Sequence, residues 1–276
     1  MMKKVLGVTA LLAAVSTSAM AADYTDGDIH KNDYKWFQFN VMKSKGNKIP
    51  FGNQDDTYLE MEFGGRSGIV DLYGYWDLFD LTNSGSSDRS GGDNFFLKFN
   101  PRFSLDAMTK KDLSIGPVQE WYVATQIEAG DGGLWTNFVG IGTDVQVPWF
   151  GKMGLNAYAR HIQEDYGSER EGDWDGFRVS TNWFKPFYFL ENGSFIAYQG
   201  YIDYDFGMDD DFADGRSSTS LQWFNGIYWH SDRYAVGYGL KVYDNFTGIT
   251  DGENFAGYED QETSGVGHYF AVTYKF

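Results

Sequence analysis

The chain ends with Gly267-His268-Tyr269-Phe270-Ala271-Val272-Thr273-Tyr274-Lys275-Phe276, where the strand pattern is clearer than anywhere else in the sequence. Phe270, Val272, Tyr274 and Phe276 alternate with Tyr269, Ala271, Thr273 and Lys275, which places the two sets on opposite faces of a β-strand. A soluble sandwich would have little reason to carry its widest apolar stripe up to an aromatic carboxyl-terminal residue. We therefore predict that this segment is the closing strand of a membrane-embedded β-barrel.

The amino terminus has the layout of a secretory signal peptide. Lys3 and Lys4 give it a positive start, Val5–Val15 is apolar, and Ala19-Met20-Ala21 is a small-x-small cleavage site. The apolar stretch is too short to span a bilayer, and polar sequence follows it directly. We predict that the protein is exported, that residues 1–21 are removed, and that residues 22–276 form one barrel domain in the outer membrane.

The composition excludes several classes of protein. The chain has 22 basic and 39 acidic residues, so it lacks the basic surface that a nucleic-acid partner requires. It has no cysteine and therefore no disulfide framework. Aromatic residues make up 18% of the chain, yet after the signal peptide no apolar run is long enough for a transmembrane helix. This combination suits a barrel with aromatic girdles at both membrane interfaces, in contact with outer-membrane lipid and lipopolysaccharide.

The mature sequence is predicted to contain twelve strands with period-two alternation. Most have about the 9–11 residues that a tilted strand needs to cross a bilayer. An even number of strands can close into an antiparallel barrel with both termini on one side, so the predicted fold class is all-β. The predicted strands are Lys35–Lys43, Thr57–Gly64, Ile69–Leu78, Asn94–Ser104, Val118–Ala129, Leu134–Val145, Lys152–Ile162, Trp174–Lys185, Ser194–Tyr204, Ser218–Trp229, Tyr234–Tyr243 and Gly267–Phe276.

The connections between these strands alternate in length, as they do in transmembrane barrels. The predicted periplasmic turns are mostly short, namely Gly65–Gly68, Gln146–Gly151 and His230–Arg233. The predicted external loops are mostly long and acidic, namely Ser44–Asp56, Phe79–Asp93, His161–Asp173, Asp205–Ser217 and Asp244–Ser264. Two connections depart from the pattern, because Leu105–Pro117 is long for a turn and Gly130–Gly133 is short for a loop.

Alternation also sorts side chains into a lipid-facing and a lumen-facing set. Acids, bases and tyrosines fall together on the inner face, which has two interpretations. They could form a structural ladder of cross-strand ion pairs, or they could line a polar channel in which tyrosine rings stack on flat solutes. The predicted channel-lining and substrate-binding residues are Glu60, Glu62, Asp71, Tyr73, Tyr75, Lys98, Arg102, Glu120, Tyr122 and Arg178.

The strand number limits the width of the lumen. Twelve strands spaced about 4.8 Å apart and tilted about 40° give a backbone radius of roughly 12 Å. Inward side chains would leave only a narrow passage, which suits single small molecules. A narrow pore with clustered binding groups is selective.

Several stretches resemble the Tsx-type nucleoside-specific channel family of the outer membrane. They run in order through most of the second to eighth strands, and the opening segment Asp26–Trp36 is similar to the OmpK-like members of that family. The stretches are Asp56-Thr57-Tyr58-Leu59-Glu60, Tyr73-Gly74-Tyr75-Trp76, Pro101-Arg102-Phe103-Ser104, Asp112-Leu113-Ser114-Ile115-Gly116-Pro117, Glu120-Trp121-Tyr122, Gly142-Thr143-Asp144 and Trp174-Asp175-Gly176-Phe177-Arg178.

The resemblance implies a twelve-stranded barrel, passage of nucleosides, and surface loops that bacteriophages use as receptors. It also implies a channel-lining role for the residues at matching positions, which are Glu60, Tyr73, Tyr75, Arg102, Glu120, Tyr122 and Arg178. A surface attachment protein that binds bacteriophage through its external loops is therefore the alternative to a small-solute channel.

An enzyme is the third hypothesis, and the sequence disfavours it. Catalysis would need a nucleophile and a base within hydrogen-bond reach. The histidines are His30, His161, His230 and His268, of which only the last is predicted to lie well inside a strand. The run Asp209-Asp210-Asp211 lacks the ligand spacing of an EF-hand. We predict no catalytic residues, no metal site and no cofactor.

Overall fold

The twelve strands form one closed antiparallel barrel in a computed structural model that describes residues 23–52, 54–82 and 94–276. Consecutive strands are paired throughout, and β1 pairs with β12 to close the barrel. The predicted signal peptide lies outside the described residues. The strands are β1 (Tyr34–Lys45), β2 (Thr57–Ser67), β3 (Val70–Leu78), β4 (Phe95–Ser104), β5 (Val118–Gly130), β6 (Leu134–Val147), β7 (Gly151–Asp165), β8 (Trp174–Phe189), β9 (Phe195–Phe206), β10 (Thr219–His230), β11 (Tyr234–Asp244) and β12 (Gly265–Lys275).

The sequence prediction of twelve strands in this order is confirmed, and the bounds differ mainly in the middle of the chain. β7 and β8 extend to Asp165 and Phe189, beyond their predicted ends. Register shifts near Ala159 and Pro186 interrupt the pairing there, so simple alternation does not reach the true strand ends. The prediction that only His268 lies well inside a strand is wrong, because β7 continues to Asp165 and so places His161 inside the strand rather than at its end.

Closure is made by the last strand, as its pattern predicts. Val41 of β1 faces Val272 of β12, and this pairing runs from Gln38 to Lys45 on β1. The amide nitrogen of Phe276 donates to the carbonyl oxygen of Phe37 at 3.1 Å, so the ladder continues to the final residue. The chain therefore leaves no unpaired strand edge among the twelve strands.

The two faces of the barrel differ sharply in exposure. On β12 the outward side chain of Val272 is 57% exposed, whereas the next side chain, Thr273, is 3% exposed and points inward. No helix in the described part of the chain is long and apolar enough to span a membrane. We call the end with both chain termini the terminal end and the other the loop end. Exposed aromatic residues mark both, with Phe37, Trp229, Tyr234 and Tyr274 near the terminal end and Trp76, Trp135, Phe177 and Phe206 near the loop end.

The long turn Leu105–Pro117 contains a helix, α1 (Leu105–Thr109). The Ser104 hydroxyl caps it by accepting from the Ala107 amide at 3.0 Å. The Asp106 carboxylate accepts from the backbone nitrogens of Leu113 and Trp121, at 2.9 and 3.0 Å. The turn is long because it is a folded element that is held against the start of β5.

The segment before β1 packs under the terminal end of the barrel. Tyr24 is fully buried in an apolar cluster with Ala107 of α1, and its ring lies 5.2 Å from the Arg66 guanidinium carbon. Burial raises the pKa of the Tyr24 phenol, whose oxygen accepts from the Asn32 amide at 3.0 Å. This segment therefore covers part of the lumen opening.

The short loop Gly130–Gly133 is held against a neighbouring strand by one side chain. The Asp131 carboxylate accepts from the backbone nitrogens of Asn94 and Phe95, at 3.0 and 3.1 Å. This contact joins the turn between β5 and β6 to the start of β4.

A charge on the outer face is expected to destabilise the barrel. Val272→Arg places a cation on the apolar outer face, between Val41 and Val236 of the neighbouring strands. A cation at such a position near the bilayer midplane costs about 2–4 kcal/mol of folding free energy. The free energy of unfolding by urea in phosphocholine vesicles measures the loss. Gln38→Arg is the matched control, because it adds the same charge on the inner face beside Glu62 and should leave the stability nearly unchanged. Equal losses in the two variants would contradict the assignment of faces.

Candidate functional site in the barrel lumen

Inward side chains fill one part of the lumen completely. Tyr122, Gln126, Phe138 and Tyr158, which come from β5, β6 and β7, are 3% exposed or less. The Phe138 and Tyr158 rings meet edge to face with their centroids 6.0 Å apart. We call this filled part, which is bounded by β4 and β9, the packed region.

Ion pairs tie the packed region together. The Arg178 guanidinium of β8 donates to both carboxylate oxygens of Asp205 on β9 and, at 2.6 Å, to Glu128 on β5. Its carbon lies 4.1 Å from the centroid of the Phe138 ring. Lys98 of β4 lies 3.5 Å from Glu128 and 2.6 Å from Asp203 of β9. Each charge is compensated inside a poorly solvated region, where an unpaired charge would be costly.

A second ion-pair network lies nearer the terminal end. The Arg102 guanidinium donates to Asp71 at 2.7 Å and to Asp144 at 3.0 Å. Its carbon lies 4.0 Å from the centroid of the Tyr122 ring, and the Tyr122 hydroxyl also donates to Asp144. These contacts join β3, β4, β5 and β6 and favour the structural interpretation for their members.

Arg66 and Glu120 complete that network. The two guanidinium nitrogens of Arg66 donate to the two carboxylate oxygens of Glu120, at 2.6 and 2.8 Å. β2 and β5 are not neighbours, so this bidentate pair reaches across the lumen. Both side chains are about 5% exposed.

The remaining part of the lumen is partly accessible, and we call it the passage. It lies between a wall of β1, β2, β3 and the start of β4 and a facing wall of β9, β10 and β11. Its inward side chains keep intermediate or higher exposure, with Tyr73 at 37% and Trp36 at 36%. The passage is lined by Trp36, Gln38, Glu60, Glu62, Tyr73, Tyr75, Phe96, Tyr201, Gln222, Phe224 and Lys241.

The acidic side of the passage has carboxylates with neutral donors. Asn40 donates to Glu60 at 2.6 Å and to Glu62 at 3.1 Å, and the Tyr73 hydroxyl donates to Glu62 at 3.0 Å. Among the residues that the structure describes, no lysine or arginine nitrogen lies within 4.0 Å of either carboxylate. A carboxylate offers about four acceptor positions, so Glu60 retains capacity for donors from a solute.

The facing wall supplies a cation among aromatic rings. The Lys241 ammonium lies 5.9 Å from the Tyr201 ring centroid and 5.1 Å from that of Tyr243. Within the described ranges it has no carboxylate partner at salt-bridge distance. Ring faces attract a cation without neutralising it, so this ammonium can still donate hydrogen bonds.

Aromatic side chains of β10 lie flat along this wall because glycines of β11 make room. A Cβ at Gly239 would lie 2.3 Å from the Phe224 ring, and one at Gly237 would lie 2.1 Å from the Tyr228 ring. The Tyr201 and Phe224 rings are stacked with centroids 6.0 Å apart. Sequence reasoning missed Tyr201, Phe224 and Tyr228, although glycines at alternate inward positions of one strand signal rings on its neighbour.

The predicted lining residues therefore divide into two groups. Glu60, Glu62, Tyr73 and Tyr75 lie in the passage, as a channel role requires, and Lys98 lies at the border. The remaining predicted residues, Asp71, Arg102, Glu120, Tyr122 and Arg178, lie in the packed region or in the network beside it. A role in contacting solute stays a prediction for every member of the set.

The loop end has its own charged network. Arg170 pairs with Asp165 at 2.5 Å and with Asp175 at 2.6 Å, which joins the loop after β7 to the start of β8. Burial and the neighbouring Arg170 lower the pKa of Arg216 to about 10. The predicted acidic loop run Asp209-Asp210-Asp211 is exposed, with its carboxylates within 4.8 Å of one another.

The two walls together can bind a neutral solute that has a flat ring and several hydroxyl groups. Tyr73 offers a ring face for stacking, Glu60 accepts from hydroxyl or amino groups, and Lys241 donates to ring acceptors. A strongly charged solute would leave one wall uncompensated. The geometry supports binding and passage of small molecules.

Comparisons with known proteins agree with this geometry. The family described as "Nucleoside-specific channel-forming protein, Tsx" matches residues 31–276. An outer membrane protein OmpK from Vibrio parahaemolyticus is 56% identical over 278 residues, covering all of both chains. A nucleoside-specific channel-forming protein Tsx from Escherichia coli O157:H7 is 31% identical over 300 residues, again covering both chains fully. The Tsx protein of Klebsiella aerogenes is 31% identical and covers 96% of this chain and 99% of its own length.

Removing one partner of the Arg66–Glu120 pair is expected to destabilise the barrel strongly. Arg66→Gln leaves the Glu120 carboxylate buried without its cation, which costs about 3–5 kcal/mol. The double variant Arg66→Gln with Glu120→Gln removes both charges. Its loss of unfolding free energy should be clearly smaller than the sum of the losses of the two single variants. Unfolding by urea in vesicles gives the three free energies. Additive losses would show that the pair is not coupled.

Proposed function

The chain belongs to the family of Tsx nucleoside-specific channel-forming proteins, and from this premise we propose that it carries nucleosides through the passage. The family membership makes it an outer membrane channel with a twelve-stranded barrel. The observation that supports nucleosides as the solute is the pairing of two unlike walls. One wall has the carboxylates of Glu60 and Glu62, and the other has Lys241 among aromatic rings.

A nucleoside matches both walls at once. Its ribose hydroxyls and exocyclic amines are donors for Glu60, and its ring nitrogens and carbonyls are acceptors for Lys241. Stacking on a ring such as that of Tyr73 contributes about 1–3 kcal/mol per base and tolerates every base, because each base has a π-face. A neutral solute also avoids an uncompensated charge in a narrow lumen.

The nucleoside must bind weakly enough in the passage to be released at the far end. A channel solute needs binding that is favourable enough to enter and spread over several places, so that it can leave again. Glu60 and Glu62 occupy alternate positions on β2, and Tyr73 and Tyr75 occupy alternate positions on β3. The passage therefore offers its binding groups as a series along the strands, rather than as one closed pocket.

Removal of the Glu60 charge is expected to weaken nucleoside block of the current. In planar bilayers, millimolar adenosine or uridine should lower the conductance of the wild-type channel. Glu60→Gln should raise the half-blocking concentration about tenfold, since a hydrogen bond to a charged group contributes about 1.5–3 kcal/mol. Tyr73→Leu should raise it at least about fivefold through lost stacking.

Glu169→Gln is the matched control, because Glu169 is exposed in the loop after β7 and far along the chain from the passage residues. This variant should show the wild-type half-blocking concentration. Glucose at the same concentration should block less than uridine. Wild-type conductance that stays unchanged in millimolar nucleoside would defeat the proposal.

Attachment of bacteriophage at the external loops stays a second proposal, supported by the order of one loop. In the connection 245–264, the Asp251 carboxylate accepts from the backbone nitrogens of Thr263 and Ser264, each at 2.8 Å. Tyr258 is 42% exposed on this folded loop. A bacteriophage receptor requires a surface that is both exposed and ordered.

Deletion of part of that loop separates the two roles. A variant without residues 252–260 should lose phage adsorption and keep its nucleoside-blocked conductance, because the passage lies within the barrel. Adsorption to cells that carry each variant is compared with bilayer conductance of the same proteins. Adsorption at the wild-type rate would exclude this loop as the receptor surface.

A further inference from the structure

One ion pair joins strands on opposite sides of the barrel. The ammonium of Lys98 on β4 lies 2.6 Å from a carboxylate oxygen of Asp203 on β9. Four strands, β5 to β8, separate the two along the shorter way around the barrel. The contact is therefore not part of the ordinary cross-strand ladder. It spans the lumen.

Such a contact is impossible in a circular barrel of this size. With a backbone radius of roughly 12 Å, two strands five steps apart stand about 23 Å from each other. From bond lengths of about 1.5 Å, extended lysine and aspartate side chains bridge at most about 12 Å, including the 2.6 Å contact itself. The barrel must therefore be flattened where these residues meet, with β4 and β9 at about half the circular distance.

The bridge stands at the border between the packed region and the passage. On one side, Asp203 accepts from the Ser180 hydroxyl at 2.6 Å, and Glu128 connects Lys98 to Arg178. On the other side, the Lys98 ammonium lies 5.5 Å from the centroid of the Tyr201 ring, which lines the passage. The bridge therefore limits the passage on the side toward β5 to β8.

We propose that the Lys98–Asp203 ion pair is a strut that holds the two walls together and sets the width of the passage. It is thus the size-selecting element of the channel. This inference rests on the proposed function in so far as the barrel conducts solutes, and it does not depend on which solute is conducted. Both residues act by holding walls in place, so we assign them a positioning role.

The strut is tested by removing both of its charges. Lys98→Met with Asp203→Leu breaks the ion pair and leaves no acid without a cation, because Glu128 keeps Arg178 at 2.6 Å. Replacement of a buried pair by apolar residues is often neutral for stability. We expect the single-channel conductance to rise about twofold, and larger polyethylene glycols to enter, since pore width limits both. Heat-modifiable gel migration verifies that the variant is folded.

The conservative variant Lys98→Arg is the matched control. It keeps a cation between Asp203 and Glu128 and should keep the conductance and the polymer cut-off near the wild-type values. A double-neutral variant with wild-type conductance and cut-off would overturn the proposal. A Lys98→Arg variant that conducts like the neutral variant would overturn it as well.

A distance measurement in the otherwise unchanged barrel covers the case in which the neutral variant does not fold. The natural chain has no cysteine, so Leu97→Cys and Ile202→Cys place two spin labels on the outer face, each beside one end of the strut. We expect a label separation about 10 Å shorter than a circular barrel requires. A separation that fits a circular barrel would overturn the strut.

The two proposals fail in different ways. If nucleosides do not block the wild-type current but the neutral variant admits larger polymers, the strut stands and nucleoside selectivity is wrong. If nucleosides block the wild-type current and the double-neutral variant keeps the wild-type polymer cut-off, the nucleoside proposal stands and the strut is wrong.

Discussion

The structure depends on one constraint, which is that a backbone amide or carbonyl in hydrocarbon has no water to bond with. Every strand must therefore find a partner on both sides, and the twelve strands meet this requirement only by closing on themselves. The pairing of β12 with β1 removes the last two edges, and Phe276 extends it to the final residue of the chain. Closure in turn gives each strand one face toward lipid and one toward the lumen.

This division directs charged side chains inward, where the space is small. Burial of a cation and an anion costs more desolvation free energy than their mutual attraction returns, unless each ion has several partners. Arg178 and Arg102 satisfy this condition by contacting two carboxylates each, and an aromatic ring covers each guanidinium. The structural ladder, one of the two alternatives that the sequence left, is present, and the passage remains for the solute-binding role that we propose. They occupy different parts of the same lumen.

Sequence patterns predicted the strands and their order because period-two alternation is a local property of each segment. They did not predict α1, because its formation depends on the Ser104 cap and on Asp106 reaching Trp121 beyond the turn. Alternation also identified which residues point inward. It could not separate passage from packed region, because Glu62 and Glu120 have the same local pattern and differ only in what crosses the lumen to meet them. Those partners depend on the cross-section of the closed barrel.

The flattened cross-section explains why Glu60 and Glu62 meet neutral donors instead of lysine or arginine. Where β4 and β9 approach each other, side chains from both walls fill the space. The bases of that region, Lys98 and Arg178, form ion pairs there with Asp203, Asp205 and Glu128. Glu60 and Glu62 of β2 then face a wall whose cation, Lys241, is surrounded by rings instead of carboxylates. An arginine within reach of Glu60 would occupy its acceptor positions and narrow the passage. The binding of a neutral, hydroxyl-rich solute that we propose therefore depends on keeping the strong ion pairs on one side of the lumen.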